Sequence, residues 1–182
     1  MQCIETEIAE VKLITADVYA DERGFFKETW NAAHFQKLGI HHQFQQDNQS
    51  HSKRGVLRGL HYQVGKPQGK LVWVVSGEVF DVAVDLRRSA RTFGKWVGRR
   101  LSADAHTMLW VPPGFAHGFY VLSEQADVAY KCTELYAPDM DRTMVWNDRD
   151  IGIRWPLAGG AAPLVSAKDA GGVAFKDAEC FP

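Results

Sequence analysis

Two short stretches place ionisable side chains where a core strand would hold apolar ones. "GVLRGLHYQ" (55–63) carries Arg58 and His61 among Val, Leu and Gly, and "PPGFAHGFY" (112–120) carries His117. Lys70 opens the apolar run "KLVWVVS", and Tyr130 lies within "ADVAYKC". A neutral imidazole can accept a proton near neutral pH, and such groups inside strands suit a cavity where a ligand is bound or deprotonated. The plainer alternative is a hydrogen-bonded structural histidine, a solvated strand start and a rim tyrosine. These residues alone leave both readings open.

The elements that must carry these groups are short strands separated by turn residues. β-like runs are expected at 11–19, 24–30, 44–49, 56–63, 70–75, 78–86, 95–101, 107–111, 117–122 and 127–136. Ser76-Gly77 reads as a hairpin turn between two of them. "NAAHFQKLG" (31–39) reads most clearly as a short helix, with Asn31 as N-cap and Gly39 as stop. In "EVFDVAVDL", Phe80, Val82, Val84 and Leu86 form an apolar face, and Val79, Asp81, Ala83 and Asp85 a face that tolerates small or acidic groups. Arg58 and His61 have opposite strand parity, so a regular strand would point them apart. A bulge at Gly59 would bring both to one cavity.

Many short strands with few helical spacers predict an all-β fold, a jelly-roll sandwich or barrel, in one domain spanning 1–182. After Trp155 the alternation fades; "SAKDAGGVAF" is expected to wrap over the barrel with some helix, and 171–182 is a weakly defined tail. The chain is 46% hydrophobic and 24% charged with net charge −1, which gives no electrostatic footprint for nucleic acid or a membrane surface. Any anion must be held by a local cluster. No secretory signal is visible, and three scattered cysteines form no CxxC, which fits a reducing cytoplasm.

There is no dinucleotide or P-loop fingerprint, no GxSxG and no HExxH. Pro-x-Gly-x-x-His at 112–117 does resemble the second motif of the cupin superfamily, with "GVLRGLHYQ" falling where the first should be. That superfamily often binds a metal there through His-x-His. Here Gln63 replaces the second His and Val121 stands where an Asn is usual. Two imidazoles are a poor metal set, so chemistry without metal or other cofactor is expected.

A series of longer motifs is more specific. "DERGFFKETW", "QDNQSHSKRGVLRGLHYQ", "QGKLVWVVSGEVFDVAVDLR", "PPGFAHGFYVLSE", "YKCTELYAPD", "WNDRDIGIRWP" and "SAKDA" occur in order over nearly residues 1–170. Together they resemble the dTDP-4-dehydrorhamnose 3,5-epimerases. The resemblance implies a cytoplasmic jelly-roll homodimer that inverts C3 and C5 of dTDP-4-keto-6-deoxy-D-glucose without a cofactor. It implies His61 as base, Asp169 as its carboxylate partner, Tyr130 as proton donor on the opposite face and Lys70 beside the C4 oxygen. Arg23, Phe26, Glu28, Gln46, Asn48, Arg58, His117, Asp141 and Lys168 match substrate-contacting positions. The family usually has Glu in a YAPxxE pattern, where this chain has the shorter Asp141.

This chemistry suits the residue types. Protons on C3 and C5 are removable because the resulting carbanion delocalises onto the C4 oxygen as an enolate. A base, a fixed cation and an acid on the other face are then needed, while Arg23 and Arg58 can fork onto the diphosphate. An epimerase acting at C3 or C5 alone would use the same groups. A non-catalytic or metal-binding small-ligand cupin is the alternative of another class.

Overall fold

A computed structural model describes residues 1–182. Thirteen strands form: β1 (Gln2–Glu5), β2 (Lys12–Thr15), β3 (Val18–Asp21), β4 (Gly24–Lys27), β5 (Gln46–Lys53), β6 (Leu57–Gln63) and β7 (Lys70–Ser76). They continue with β8 (Glu78–Asp85), β9 (Trp96–Ser102), β10 (Thr107–Val111), β11 (Phe115–Val121), β12 (Gln125–Cys132) and β13 (Asp141–Thr143). The helices are α1 (Ala32–Lys37) and the single turn α2 (Ala167–Ala170). One sheet runs β1-β2-β10-β7-β12-β5, the other β13-β6-β11-β8-β9, and β3-β4 is a separate hairpin. All the ladders within the sheets are antiparallel. The fold is the expected all-β sandwich.

Between the two sheets lies the main core, where Val72, Val74, Leu109, Val111 and Val128 meet Val79, Ala83, Val97, Phe115 and Phe119. This revises the expectation for β8. The face bearing Asp81 and Asp85 is the inner one, and both carboxylates are fully buried. The apolar face of Val82, Val84 and Leu86 points outward and is covered by Met144, Ile151 and Ala178 from the C-terminal third. Two buried faces, rather than one, explain why both registers of β8 tolerate so little water-facing polarity.

Ser76-Gly77 is not a hairpin turn, because β7 and β8 belong to different sheets. The chain crosses the sandwich edge there. Gly77 has φ +83, and a Cβ would stand 2.1 Å from the carbonyl oxygen of Gln125, so the corner needs glycine. Helix α1 begins as expected: Asn31 Oδ1 accepts from the backbone N–H groups of Ala33 and His34 at 3.0 and 3.3 Å. Its Phe35 is buried with Ile14, Ile40, Leu71 and Met108. The chain after Thr143 wraps over the outer face of β6 and is pinned by bridges Val56–Leu164, Met144–Val173 and Arg87–Phe181.

Candidate active site

The β6–β11 ladder decides where the first two candidates point. His117 lies opposite His61, but Phe119 lies opposite Arg58, so β6 carries one extra residue between them. His117 and Phe119 share a face, and the bulge therefore turns Arg58 and His61 to the same inner side. Gly59 sits in the bulge with φ +123, and a Cβ there would fall 2.6 Å from Gly118 Cα and 2.8 Å from the His117 carbonyl oxygen. Only two facing glycines let the strands approach this closely.

At this end the sandwich is open, and a cavity of about 290 Å³ forms between the sheets. One wall, from β6 and β13, offers His61, Gln63 and Asp141. The other, from β5, β7 and β12, offers Gln46, Asn48, Lys70, Tyr130 and Cys132. Period two places these together: Asn48 is paired with Tyr130, Gln46 with Cys132, and Cys132 with Lys70 across the ladders. Lys168, Tyr136 and Gln68 close the rim.

His61 and Asp169 form a dyad across 108 residues of chain, with Nε2 2.5 Å from Asp169 Oδ1. Ser166 caps α2 and donates its hydroxyl to Asp169 Oδ2 at 2.8 Å. Burial pushes the Asp169 carboxyl upward, but the bonds from His61 and Ser166 outweigh it and hold the group below the usual carboxylate range. The opposing wall has a different character. Lys70 is buried with no hydrogen-bond or ion-pair partner, and desolvation lowers its pKa from the ordinary lysine value. Burial likewise raises the Tyr130 phenol, with the Arg58 guanidinium pulling weakly the other way. The arrangement sets a carboxylate-held imidazole against a phenol and an unpaired ammonium across one cavity.

The other expected site residues divide. Gln46, Asn48, Asp141 and Lys168 line the cavity. Contrary to expectation, the bulge does not bring Arg58 into the cavity lining: Arg58 is exposed beside it, donating to Ser52 Oγ at 2.9 Å and to the His51 carbonyl at 3.2 Å. His117 is enclosed, and its Nε2 meets both oxygens of Asp81 at 2.9 and 3.0 Å. Arg23 and Phe26 lie away from the cavity on the β3-β4 hairpin, where Arg23 pairs with Asp21. Glu28 is engaged by Asn31 and by His34 of α1.

Five lining residues escaped the sequence reading: Tyr62, Gln63, Gln68, Cys132 and Tyr136. Gln63 and Cys132 follow His61 and Tyr130 by two positions, a signal that strand periodicity could have supplied. Gln68 and Tyr136 come from irregular segments that carry no such signal. Gln63, where a metal-binding relative would have histidine, spends its amide on the backbone of Lys66, Leu135 and Ala137. The sequence presents Asp81 only as a tolerated acid; its enclosure with His117 depends on which β8 face turns inward.

Comparison with known proteins shows the family. Residues 5–177 match the family described as dTDP-4-dehydrorhamnose 3,5-epimerase. The chain is 54% identical over 183 aligned positions to the Pseudomonas aeruginosa protein of that name, covering 100% of each. The crystal structure of a 3,5-epimerase from Legionella pneumophila Philadelphia 1, in complex with dTDP-4-keto-L-rhamnose, superposes with TM-score 0.94 at 49% identity, covering 98% of this chain and 94% of that one. A 3'-monoepimerase from Streptomyces bikiniensis, solved with dTDP-quinovose, is more distant, with TM-score 0.86 at 29% identity over 94% of this chain and 87% of that one. A bulged strand that delivers His61 to Asp169, opposite Lys70 and Tyr130, is thus set in a chain that belongs to the dTDP-4-dehydrorhamnose 3,5-epimerase family.

Proposed function

We propose that His61 and Tyr130 divide proton removal and return between the two walls of the cavity. The reaction is epimerisation at C3 and C5 of dTDP-4-keto-6-deoxy-D-glucose, giving dTDP-4-keto-L-rhamnose. His61, oriented by Asp169, takes the proton from the carbon beside the ketone. The electron pair moves onto the C4 oxygen, and Lys70 stabilises that enolate where little water competes. Tyr130 then delivers a proton to the opposite face, and the configuration inverts. Once His61 releases its proton to water and Tyr130 regains one, the same cycle at the second carbon completes the reaction. The observation that carries this reading is the placement of His61 on one sheet and of Lys70 and Tyr130 on the other, around one cavity.

Gln46, Asn48, Lys168 and His117 are assigned to sugar and nucleotide contacts or their support, and Arg58 to the diphosphate. Arg23, Phe26 and Glu28 belong to the same reading through a homodimer. Tyr19, Phe25 and Phe26 on the β3-β4 hairpin are 65, 59 and 69% exposed, a bare aromatic surface suited to a second copy of this chain. Docked there, the hairpin would carry Arg23 and Phe26 toward a neighbouring site. The reading treats all 182 residues as one domain and places it in the cytoplasm, in keeping with three unpaired cysteines. No helix is long and apolar enough to cross a membrane.

The test is incubation with the substrate in deuterated water, followed by NMR beside a His61→Ala control. Deuterium at both C3 and C5, absent in the control, is the expected result. Exchange at C3 alone would place the chain with the monoepimerases instead. Binding without exchange would reject catalysis.

A further inference from the structure

Neighbouring residues of α2 reach two neighbouring strands. Asp169 accepts from His61 on β6, and Lys168 donates to Asp141 Oδ2 on β13. β13 is the strand paired to β6, with Asp141 opposite Gln63 and Thr143 opposite His61. The Asp141 side chain is only 11% exposed, and the same oxygen accepts from the Tyr136 hydroxyl at 3.0 Å. This carboxylate is therefore already held by two protein groups, one on α2 and one at the cavity rim.

Helix α2 spans four residues, far too few to hold a conformation unaided. Its flanks are pinned at Leu164 and Val173, with the Ser166 cap between them. Within that span, the ion pairs of Lys168 and Asp169 tie α2 to the sheet, beside the Ser166 cap and the Gly59 backbone N–H that also bonds Asp169. We propose that Asp141 is a positioning residue: by holding Lys168 it fixes α2 so that the Asp169 carboxylate meets His61, and by holding Tyr136 it ties that arrangement to the rim. This rests on His61–Asp169 being the base, and it differs from a direct contact with substrate. It also fits Asp in place of the longer Glu, because the partner is a protein ammonium brought close by β13.

A double-mutant cycle tests it, with kcat, KM and dTDP affinity measured on the full chain. Asp141→Asn is expected to lower kcat about tenfold through misplacement of the dyad, with KM and the dTDP dissociation constant changed less than about threefold. Asp141→Glu should restore most of the rate. In an Asp169→Asn background the same change should cost less than about twofold, because it acts through Asp169. If Asp141→Asn does not fold, as judged by thermal melting, Lys168→Met takes its place, read only by whether its kcat loss shrinks in the Asp169→Asn background, because Lys168 is also assigned a substrate contact; Lys168 is half exposed. A raised KM and weakened dTDP binding at unchanged kcat would overturn the proposal in favour of a ligand contact. A tenfold loss repeated in the Asp169→Asn background would overturn it too. A His61→Ala protein that still exchanges C3 and C5 protons would instead reject the base itself, so the two failures are distinguishable.

Discussion

His61 and His117 are paired across β6 and β11, yet each turns its Nε2 onto a different carboxylate. His61 meets Asp169 from the C-terminal wrap, and its side chain remains 30% exposed to the cavity. His117 meets Asp81 from the neighbouring strand β8, and both are enclosed. Two chemically similar couples thus have different access to a ligand. The first lines the cavity, whereas the second lies outside its lining.

The enclosed pair should matter most for folding. Asp81→Asn replaces a buried carboxylate that has His117 as its partner, and removing one member of such a pair leaves the other poorly satisfied. A loss of about 3 kcal/mol is expected, read from urea unfolding monitored by tryptophan fluorescence. An unchanged midpoint would show that the pair contributes little. His61→Ala should lower the midpoint too, by less, because its partner Asp169 is likewise buried but keeps the bond from Ser166.

Tyr130→Phe separates proton removal from inversion. With the base intact, deuterium should still enter the substrate from the His61 side, returning substrate of unchanged configuration. Product formation should fall about 100-fold, within the usual range for losing a general acid. NMR in deuterated water resolves both quantities at once. Equal loss of exchange and inversion would remove Tyr130 from the acid role.

Lys70 sets activity against stability. Burial lowers its pKa, and the neighbouring Cys132, Asp141 and Asp81 oppose that only in part. The folded protein therefore bears a cost whenever Lys70 is protonated. As pH rises from the lowered folded value toward the unfolded value of about 10.4, the unfolded chain binds more protons and stability from this group increases. Lys70→Met should thus raise Tm by a few degrees at pH 7 while lowering kcat about 100-fold or more. In the native enzyme, activity should fall with rising pH below the ordinary lysine range. Tyr130, raised by burial, still keeps its proton there. Calorimetry and a pH–rate profile check the two halves.

Gly59→Ala tests the bulge. Its Cβ would meet the backbone of Gly118 and His117 below 3.0 Å in a conformation that L residues avoid. Relief requires straightening β6 and rotating His61 or Arg58 off the inner face. A destabilisation of about 2–4 kcal/mol is expected, with loss of catalysis in whatever protein remains folded. Retained activity at normal Tm would show that the site does not need this geometry.

The sequence by itself determined the all-β class, the helix cap at Asn31, and the strand runs bearing His61, Lys70 and Tyr130. Alternation and turn residues are local properties, so they are legible one segment at a time. Gly59 between Arg58 and His61 likewise announced the bulge, because opposite parity leaves few other ways to bring both side chains to one face. What each strand faces is a different kind of fact. Asp81 lies inward because β8 is covered on both sides, and the covering segment comes from beyond Met144. The corner at Gly77 changes sheet, although its dipeptide suits a hairpin equally well. Resemblance, not pattern, had linked Asp169 with His61. Tertiary structure supplies the physical link by wrapping the C-terminal third over the outer face of β6 and anchoring α2 there. It also shows that Asp141 grips Lys168 and Tyr136, since an ion pair between distant segments depends on packing that no local spacing encodes.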